Sequence, residues 1–320
     1  MNEMTWYDVF LEKLNKKFPV KTQLIEELMK LLCIEREAVY RRLRKDVTFL
    51  AHEIITLSAT WNISLDELLE THAGLISFQM QPLNYLDPSA KEMNNLKRRV
   101  KKLEHFKNSI HSEYMEVCNK LPRPFASGFN YLYRLKIFNW AFLYNIDEKP
   151  PKFADIIIPQ KICSEFEKYN KLVKSITNSS FILDRQAFEY IVNNVRYYHS
   201  VLLITDEEKE LIKKELYQFL DYMANIANNG YYPETHKKVN IYISQLHLNT
   251  NYSYYYTEKL KSCRVHAFGK FDICSYDKDM VENFRKWMNQ KKRASIQISE
   301  VNERSRIEYF ANQRKIVDEL

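Results

Sequence analysis

The chain has 320 residues, 45% of them hydrophobic, and carries 48 Lys and Arg against 41 Asp and Glu, a formal net charge of +7. That length fits two domains with room for a third, and the apolar share suffices for real cores. The mild basicity permits an anionic partner without demanding one. Only four glycines occur, Gly74, Gly128, Gly230 and Gly269, and no two stand close enough to cradle a phosphate, so GxGxxG and Walker-type sites are excluded. The cysteines, Cys33, Cys118, Cys163, Cys263 and Cys274, are odd in number and form no C-x-x-C pair. They fit free thiols in a reducing compartment rather than a disulfide framework or a zinc site. No apolar run approaches the ~18 residues of a membrane helix. The opening MNEMTWYDVF lacks the basic-then-apolar order of a signal peptide. A cytoplasmic location, with no membrane association, is the expectation.

The first 72 residues read as five short helices. Trp6, Val9, Phe10 and Leu14 recur at helical spacing, and Pro19 closes that helix. Thr22 can cap a second helix carrying Leu24, Ile25, Leu28, Leu31 and Leu32. A short connection at residues 33 and 34 leads to a third, with Ala38, Val39 and Leu43 inward. Thr48 can cap a fourth with Leu50, Ile54, Ile55 and Leu57. Ser64 can cap a fifth, with Glu67 three residues on as a capping box.

Two quoted stretches, LMKLLCIEREAVYRRLRKD and TFLAHEIITLSATWNISLDELL, resemble the helix-turn-helix domain of Cro and lambda-repressor-like (XRE-type) regulators. The resemblance covers roughly residues 20–70, with NISLDELL matching the family's tail and Leu28, Leu32, Ile34, Val39 and Leu43 falling at its apolar packing positions. Two positions depart: Met29 stands where the family keeps a small residue, and Cys33 stands where it keeps the turn glycine. A glycine tolerates positive φ there, whereas a β-carbon costs ~1 kcal/mol or more.

The resemblance implies a bacterial transcriptional regulator whose third helix enters the major groove of double-stranded DNA. Glu35, Arg36, Glu37, Tyr40 and Arg41 would then face base edges. Arg44 and Lys45, with Thr22 and Gln23 at the entry to the second helix, would meet phosphate. Residues 1–72 hold 10 Lys and Arg against 12 Asp and Glu, a charge of −2, so this is no basic slab. The plainer reading has Glu35 and Glu37 pairing with Arg41 and Arg42 along a solvated helix of a protein-interaction scaffold, at a few tenths of a kcal/mol per pair.

Residues 73–120 read as a hinge followed by a heptad-patterned linker helix. Met93, Val100, Lys107 and Tyr114 fall at one seven-residue position; Leu96, Leu103, Ile110 and Val117 fall at the other. In a parallel pair Glu92 would face Lys97, and Arg99 would face Glu104. Met93, Leu96, Val100, Leu103, Ile110 and Val117 are thus the expected seam of a coiled-coil homodimer; the alternative docks the same stripe on the C-terminal domain. The basic run KRRVKK at 97–102 is expected on the surface.

Residues 121–320 are expected to form a sensor or interaction domain. FNYLYRLKIFNWAFLYN suggests a buried helix; Pro159 starts another, Asp184 caps a third, and Thr205 with Glu208 opens a long fourth that Gly230 ends. KVNIYISQLHL, NYSYYYTEKL, CRVHAFG, FDICSY and ASIQIS read as late strands, with a helix carrying Met280, Phe284, Trp287 and Met288 before the last of them and a closing helix after it. His247 and His266 read as strand-face histidines, and Asp272, Asp277 and Asp279 as caps near a helix start. Tyr252, Tyr254, Tyr255 and Tyr256 read as cross-strand packing rather than a stacking platform. No metal, cofactor or catalytic motif is present, so no enzyme is expected. The fold expected is mainly α: a five-helix helix-turn-helix domain, a helical, coiled-coil-like linker, and a C-terminal α+β domain with helices and a small late sheet. The effector or protein partner of that last domain is not written in these residues.

Overall fold

The computed structural model describes residues 5–61, 63–65, 78, 88–104, 106, 109–126, 128–144, 151–267 and 271–320. The chain divides into two compact units, 1–77 and 78–320.

The first unit holds helices α1 (Trp6–Lys17), α2 (Lys21–Leu32), α3 (Arg36–Leu43) and α4 (Ala51–Trp61). Thr5 and Asp8 close a reciprocal capping box at the start of α1. Helix α2 begins at Lys21 after extended Val20, so Thr22 lies inside the helix instead of capping it. Glu53, not Thr48, receives the orphan Leu50 N–H at the start of α4, at 2.8 Å. Phe10, Leu14, Leu24, Leu28, Val39 and Leu57 are fully buried and make one core. The fifth helix expected from Ser64, and the hinge, lie outside the described residues.

The second unit is built on a seven-stranded mixed sheet of order β6-β5-β4-β1-β2-β3-β7. Helix α5 (Pro88–Glu104) precedes β1 (Glu113–Cys118), a 3-10 turn at Arg123–Phe125, α6 (Asn130–Tyr144), α7 (Gln160–Lys174) and β2 (Asn178–Leu183). Helices α8 (Ala187–Ser200) and α9 (Asp206–Asn229) lead to β3 (Lys238–Ser244). Then follow β4 (Tyr252–Tyr256), β5 (Lys261–Ala267), β6 (Phe271–Ser275), α10 (Lys278–Lys291), β7 (Ser295–Gln297) and α11 (Glu303–Asp318). Strands β1, β2 and β3 pair in parallel, and β4, β5 and β6 continue antiparallel from the other side of β1.

Alternation along β1 separates two cores. Tyr114 and Cys118 face a large one shared with α5 to α9 and α11, while Met115 and Val117 face a smaller one closed by Val281, Phe284 and Met288 of α10. The capping box at Thr205, the left-handed Gly230 (φ 74°) after α9 and the late strands all form as the sequence predicts.

The expectation of a mainly helical chain with a small late sheet is corrected. The sheet has seven strands, begins at Glu113 and organises the whole second unit, which makes the protein α+β. The heptad stripe is corrected with it. Helix α5 stops at Glu104, Tyr114 and Val117 sit in β1 on opposite faces, and Ile110 lies outside any helix at 83% exposure. Leu96, Val100 and Leu103 are buried in this unit's own core, with Met93 packed against it. The apolar spacing belongs to intramolecular docking, and each of these side chains contributes ~1.5–3 kcal/mol by leaving water. Nor is KRRVKK all surface, for Arg99 is buried.

Leu103→Asp places an unpaired charge in this core and is expected to destabilise the second unit by several kcal/mol. Ile110→Asp is expected to change stability by less than ~0.5 kcal/mol. Denaturant melts at two protein concentrations check both, with a midpoint independent of concentration if the stripe packs within one chain.

Candidate functional sites

In the first unit, α3 is fixed from beneath. The Arg42 guanidinium donates to both carboxylate oxygens of Glu53, at 2.9 and 2.8 Å, and to Ala38 O at 3.1 Å. Both side chains are nearly buried, so this pair positions α3 against α4. Tyr7 of α1 ties the same corner: its hydroxyl donates to Arg42 O at 3.2 Å and accepts from Phe49 N at 3.1 Å. Burial alone would raise the Glu53 carboxyl, but the hydrogen bonds from Arg42 and Leu50 outweigh it and hold the carboxyl below its usual range.

The turn before α3 contains the residue that fits the resemblance least well by type. Cys33 adopts the left-handed conformation, φ 53° and ψ 42°, that its β-carbon disfavours. The backbone thus takes the course that the family's glycine permits, at the cost of strain in this chain.

Thr22, Gln23, Glu35, Arg36, Glu37, Arg41, Arg44 and Lys45 are all exposed, and Tyr40 is half-buried. Among the described residues, Arg36 and Arg41 make no ion pair. The pairing expected of Glu35 and Glu37 with Arg41 and Arg42 does not form. Glu37 instead meets Arg44 at 2.9 Å, Arg44 also meets Asp46 at 3.1 Å, and Lys45 bonds Asp8. These last are exposed pairs worth ~0–1 kcal/mol, weak enough for a phosphate to displace.

The second unit contains a polar pocket that the sequence reading missed. It lies at the carboxyl end of β1, where the parallel half of the sheet meets the antiparallel half, a place where crevices form. Glu116 of β1, Arg123 after it, Asn251 and Ser253 at the start of β4, Arg264 and His266 of β5 and Asp272 of β6 line it, with Tyr169 from α7. Its enclosed volume is about 20 Å³, close to the room that a single water needs.

Asp272 is the hub. It bonds Arg99 of α5, lies 3.5 Å from Arg264 Nε and 3.9 Å from an Arg123 nitrogen, and its other oxygen is 3.0 Å from His266 Nδ1. Burial works against its charge, but Arg264, Arg99 and Arg123 prevail and hold the carboxyl well below the usual range. Burial lowers His266 despite its bond to Asp272. Burial raises Glu116, whose carboxyl accepts the Tyr114 hydroxyl at 2.6 Å. Asp272 is therefore no helix cap, although Asp277 does cap α10 through Met280 N at 2.7 Å. The one available signal was Arg264 and His266 alternating with apolar residues in CRVHAFG, which sets two polar groups on one strand face. Tyr255 of the tyrosine group stacks on Tyr114 at 4.7 Å, as cross-strand packing. No helix among the described residues is long and apolar enough to cross a membrane.

The chain matches no protein-family model, no curated protein and no solved structure.

Glu53→Ala leaves Arg42 buried without its partner and is expected to destabilise the first unit by about 3 kcal/mol. The Glu53 contribution is fully present above the carboxylate's unfolded pKa and fades as pH falls through its lower folded value, so Glu53→Gln should flatten the acid limb of the melt below about pH 4. Cys33→Gly is expected to stabilise the unit by about 0.5–1 kcal/mol, a gain that amide exchange of α2 and α3 would read.

Proposed function

We propose that the protein is a bacterial, cytoplasmic transcriptional regulator of the XRE type, which binds double-stranded DNA through α3 and is not an enzyme. The observation that carries this reading is the pairing of a locked underside with a free outer face. Arg42, Glu53 and Tyr7 fix α3, while Arg36 and Arg41 stand exposed with no ion pair among the described residues. Cys33 in the left-handed conformation supports it, because the tight turn that orients such a helix survives without a glycine.

In this reading Arg36 and Arg41 donate to guanine O6 and N7, Glu35 and Glu37 accept from cytosine N4, and Tyr40 packs against a base edge. Arg44, Lys45, Thr22 and Gln23 hold phosphate. The −2 charge of residues 1–72 gives little non-specific affinity, so base contacts carry most of the discrimination. One α3 supplies few such contacts. A homodimer on a pseudo-palindrome doubles them, and its interface uses surface other than the buried stripe of α5. The second unit supplies effector sensing.

Selection of bound DNA from a random pool, followed by mobility-shift titration, tests the reading. Arg36→Ala and Arg41→Ala are each expected to weaken binding to the selected site by ~1–3 kcal/mol and to relax preference at one base pair. Arg44→Ala should weaken all sequences alike and reduce the salt slope by about one. Affinity unchanged in the Arg36 and Arg41 double variant would remove α3 from the interface.

A further inference from the structure

The positive charge of α10 and the turn after it is gathered at one end. Residues 278–285 hold two cations and two acids, whereas 286–293 hold four cations, Lys286, Lys291, Lys292 and Arg293, and no acid. Arg285 is matched: its guanidinium donates to Glu113 at 2.9 and 2.7 Å and lies 4.0 Å from Glu282, so it adds nothing to the imbalance. The other four make no ion pair among the described residues. The helix dipole favours a cation in the last turn by ~0.3–1 kcal/mol, which accounts for Lys291 but not for Lys286 before it or Arg293 beyond it.

Geometry sets these groups on one face. Arg285, Lys286, Asn289, Gln290 and Arg293 recur at helical spacing and line an open groove of about 320 Å³. On the opposite side of α10, Val281, Phe284 and Met288 are buried in the smaller core. Lys286, Gln290 and Arg293 are exposed. Lys292 is half-buried beside the Tyr242 ring, and burial pushes its ammonium below the ordinary value, which Glu113 offsets only in part. A cation kept partly out of water without an acid is costly until an anion comes to it. Lys286 and Arg293 lie roughly 10 Å apart along the helix and its 3-10 turn. Over that length a DNA duplex presents about six phosphates.

We propose that this face of α10 is a second contact for double-stranded DNA, holding the phosphate backbone through Lys286, Arg293 and, at its edge, Lys292. Gln290 adds an uncharged donor for phosphate or sugar oxygens. The face supplies the attraction to a polyanion that residues 1–72, at −2, lack. Tethered to the first unit, it raises the local concentration of duplex at α3. Anionic lipid fits less well, because an interfacial helix buries its apolar side in the bilayer and that side of α10 is already in the protein core. The choice of duplex rests on the α3 reading, but binding at α10 is measured independently of it.

The experiment is anisotropy titration of the full chain with a labelled duplex of random sequence over a series of potassium chloride concentrations. Wild type is expected to bind with a marked salt dependence. Lys286→Ala combined with Arg293→Ala is expected to weaken binding roughly tenfold at low salt and to reduce the salt slope by about two. Both side chains are exposed, so the fold survives, and an unchanged melting temperature verifies it. Lys161→Ala combined with Lys237→Ala removes the same charge from exposed positions elsewhere and is expected to leave the slope in place. The Arg36 and Arg41 double variant is expected to lose sequence preference yet keep the α10 contribution. If it loses nothing while the α10 variant does, the α3 reading fails and this one stands. Wild type without salt-dependent binding overturns the proposal, and so does an α10 variant that binds as wild type does. An equal loss in the Lys161 and Lys237 control overturns it too, since net charge alone would then explain the effect. Binding to mixed phosphatidylglycerol and phosphatidylcholine vesicles that needs Lys286 and Arg293, with duplex binding unchanged, would overturn it and assign the face to lipid.

Discussion

Strand β1 is covered on both faces and paired on both edges, and the second unit is arranged around that constraint. A strand so placed needs apolar groups in both directions, which Tyr114 and Cys118 supply toward the helical layer and Met115 and Val117 supply toward α10. Glu116 is the exception on the helical side. It cannot reach bulk water, so its carboxyl is met by the Tyr114 hydroxyl and its proton is favoured by burial. The neighbouring antiparallel strands then bring Arg264, His266 and Asp272 to the same end of the sheet, and α5 contributes Arg99 from above. The polar pocket is a direct consequence of where β1 sits.

The same constraint explains what the sequence could and could not disclose. The late strands alternate and are bounded by turn residues, so their period is visible, and Thr205 with Glu208 and Gly230 mark a helix at both ends. The first two strands carry no such signature. In EYMEVC, Tyr114 and Val117 happen to fall three apart and extend the apolar spacing of α5, so a strand reads as the end of a heptad. NSSFIL buries Ser179 and Ser180 along with its apolar residues, so polarity does not alternate. A central parallel strand lacks the two-residue period by which a half-exposed strand is recognised. Missing these two converts a seven-stranded sheet into a small late one.

In the first unit local signals were adequate for helix order, since caps and apolar periods act within a few residues. Long-range pairing was not legible. Arg42 and Glu53 are eleven residues apart and meet only because α3 and α4 cross, whereas spacing alone favoured partners four residues away. Cys33 was legible as a conflict but not in its resolution. The neighbouring helices are packed through Leu28 and Val39, and that packing holds the turn in the left-handed region despite the β-carbon. Conformational strain of about 1 kcal/mol is small beside the burial of several such side chains.

The arginine cluster presents the opposite balance. Replacing buried ionic groups by apolar residues of similar volume is often neutral or stabilising, so stability alone does not account for three buried or half-buried arginines around one acid. Packing does not require them either: Arg123 sits on a 3-10 turn and Arg264 on a strand whose other face is already filled by Cys263. What the arrangement achieves is one carboxylate held among three guanidiniums on a pocket wall, with Arg264 Nε making no hydrogen bond among the described residues. A fold that relaxed solely toward its own stability would have placed a second acid beside that donor. Glu116 stands on the same wall, where burial raises its carboxyl, and the strand order brings it there.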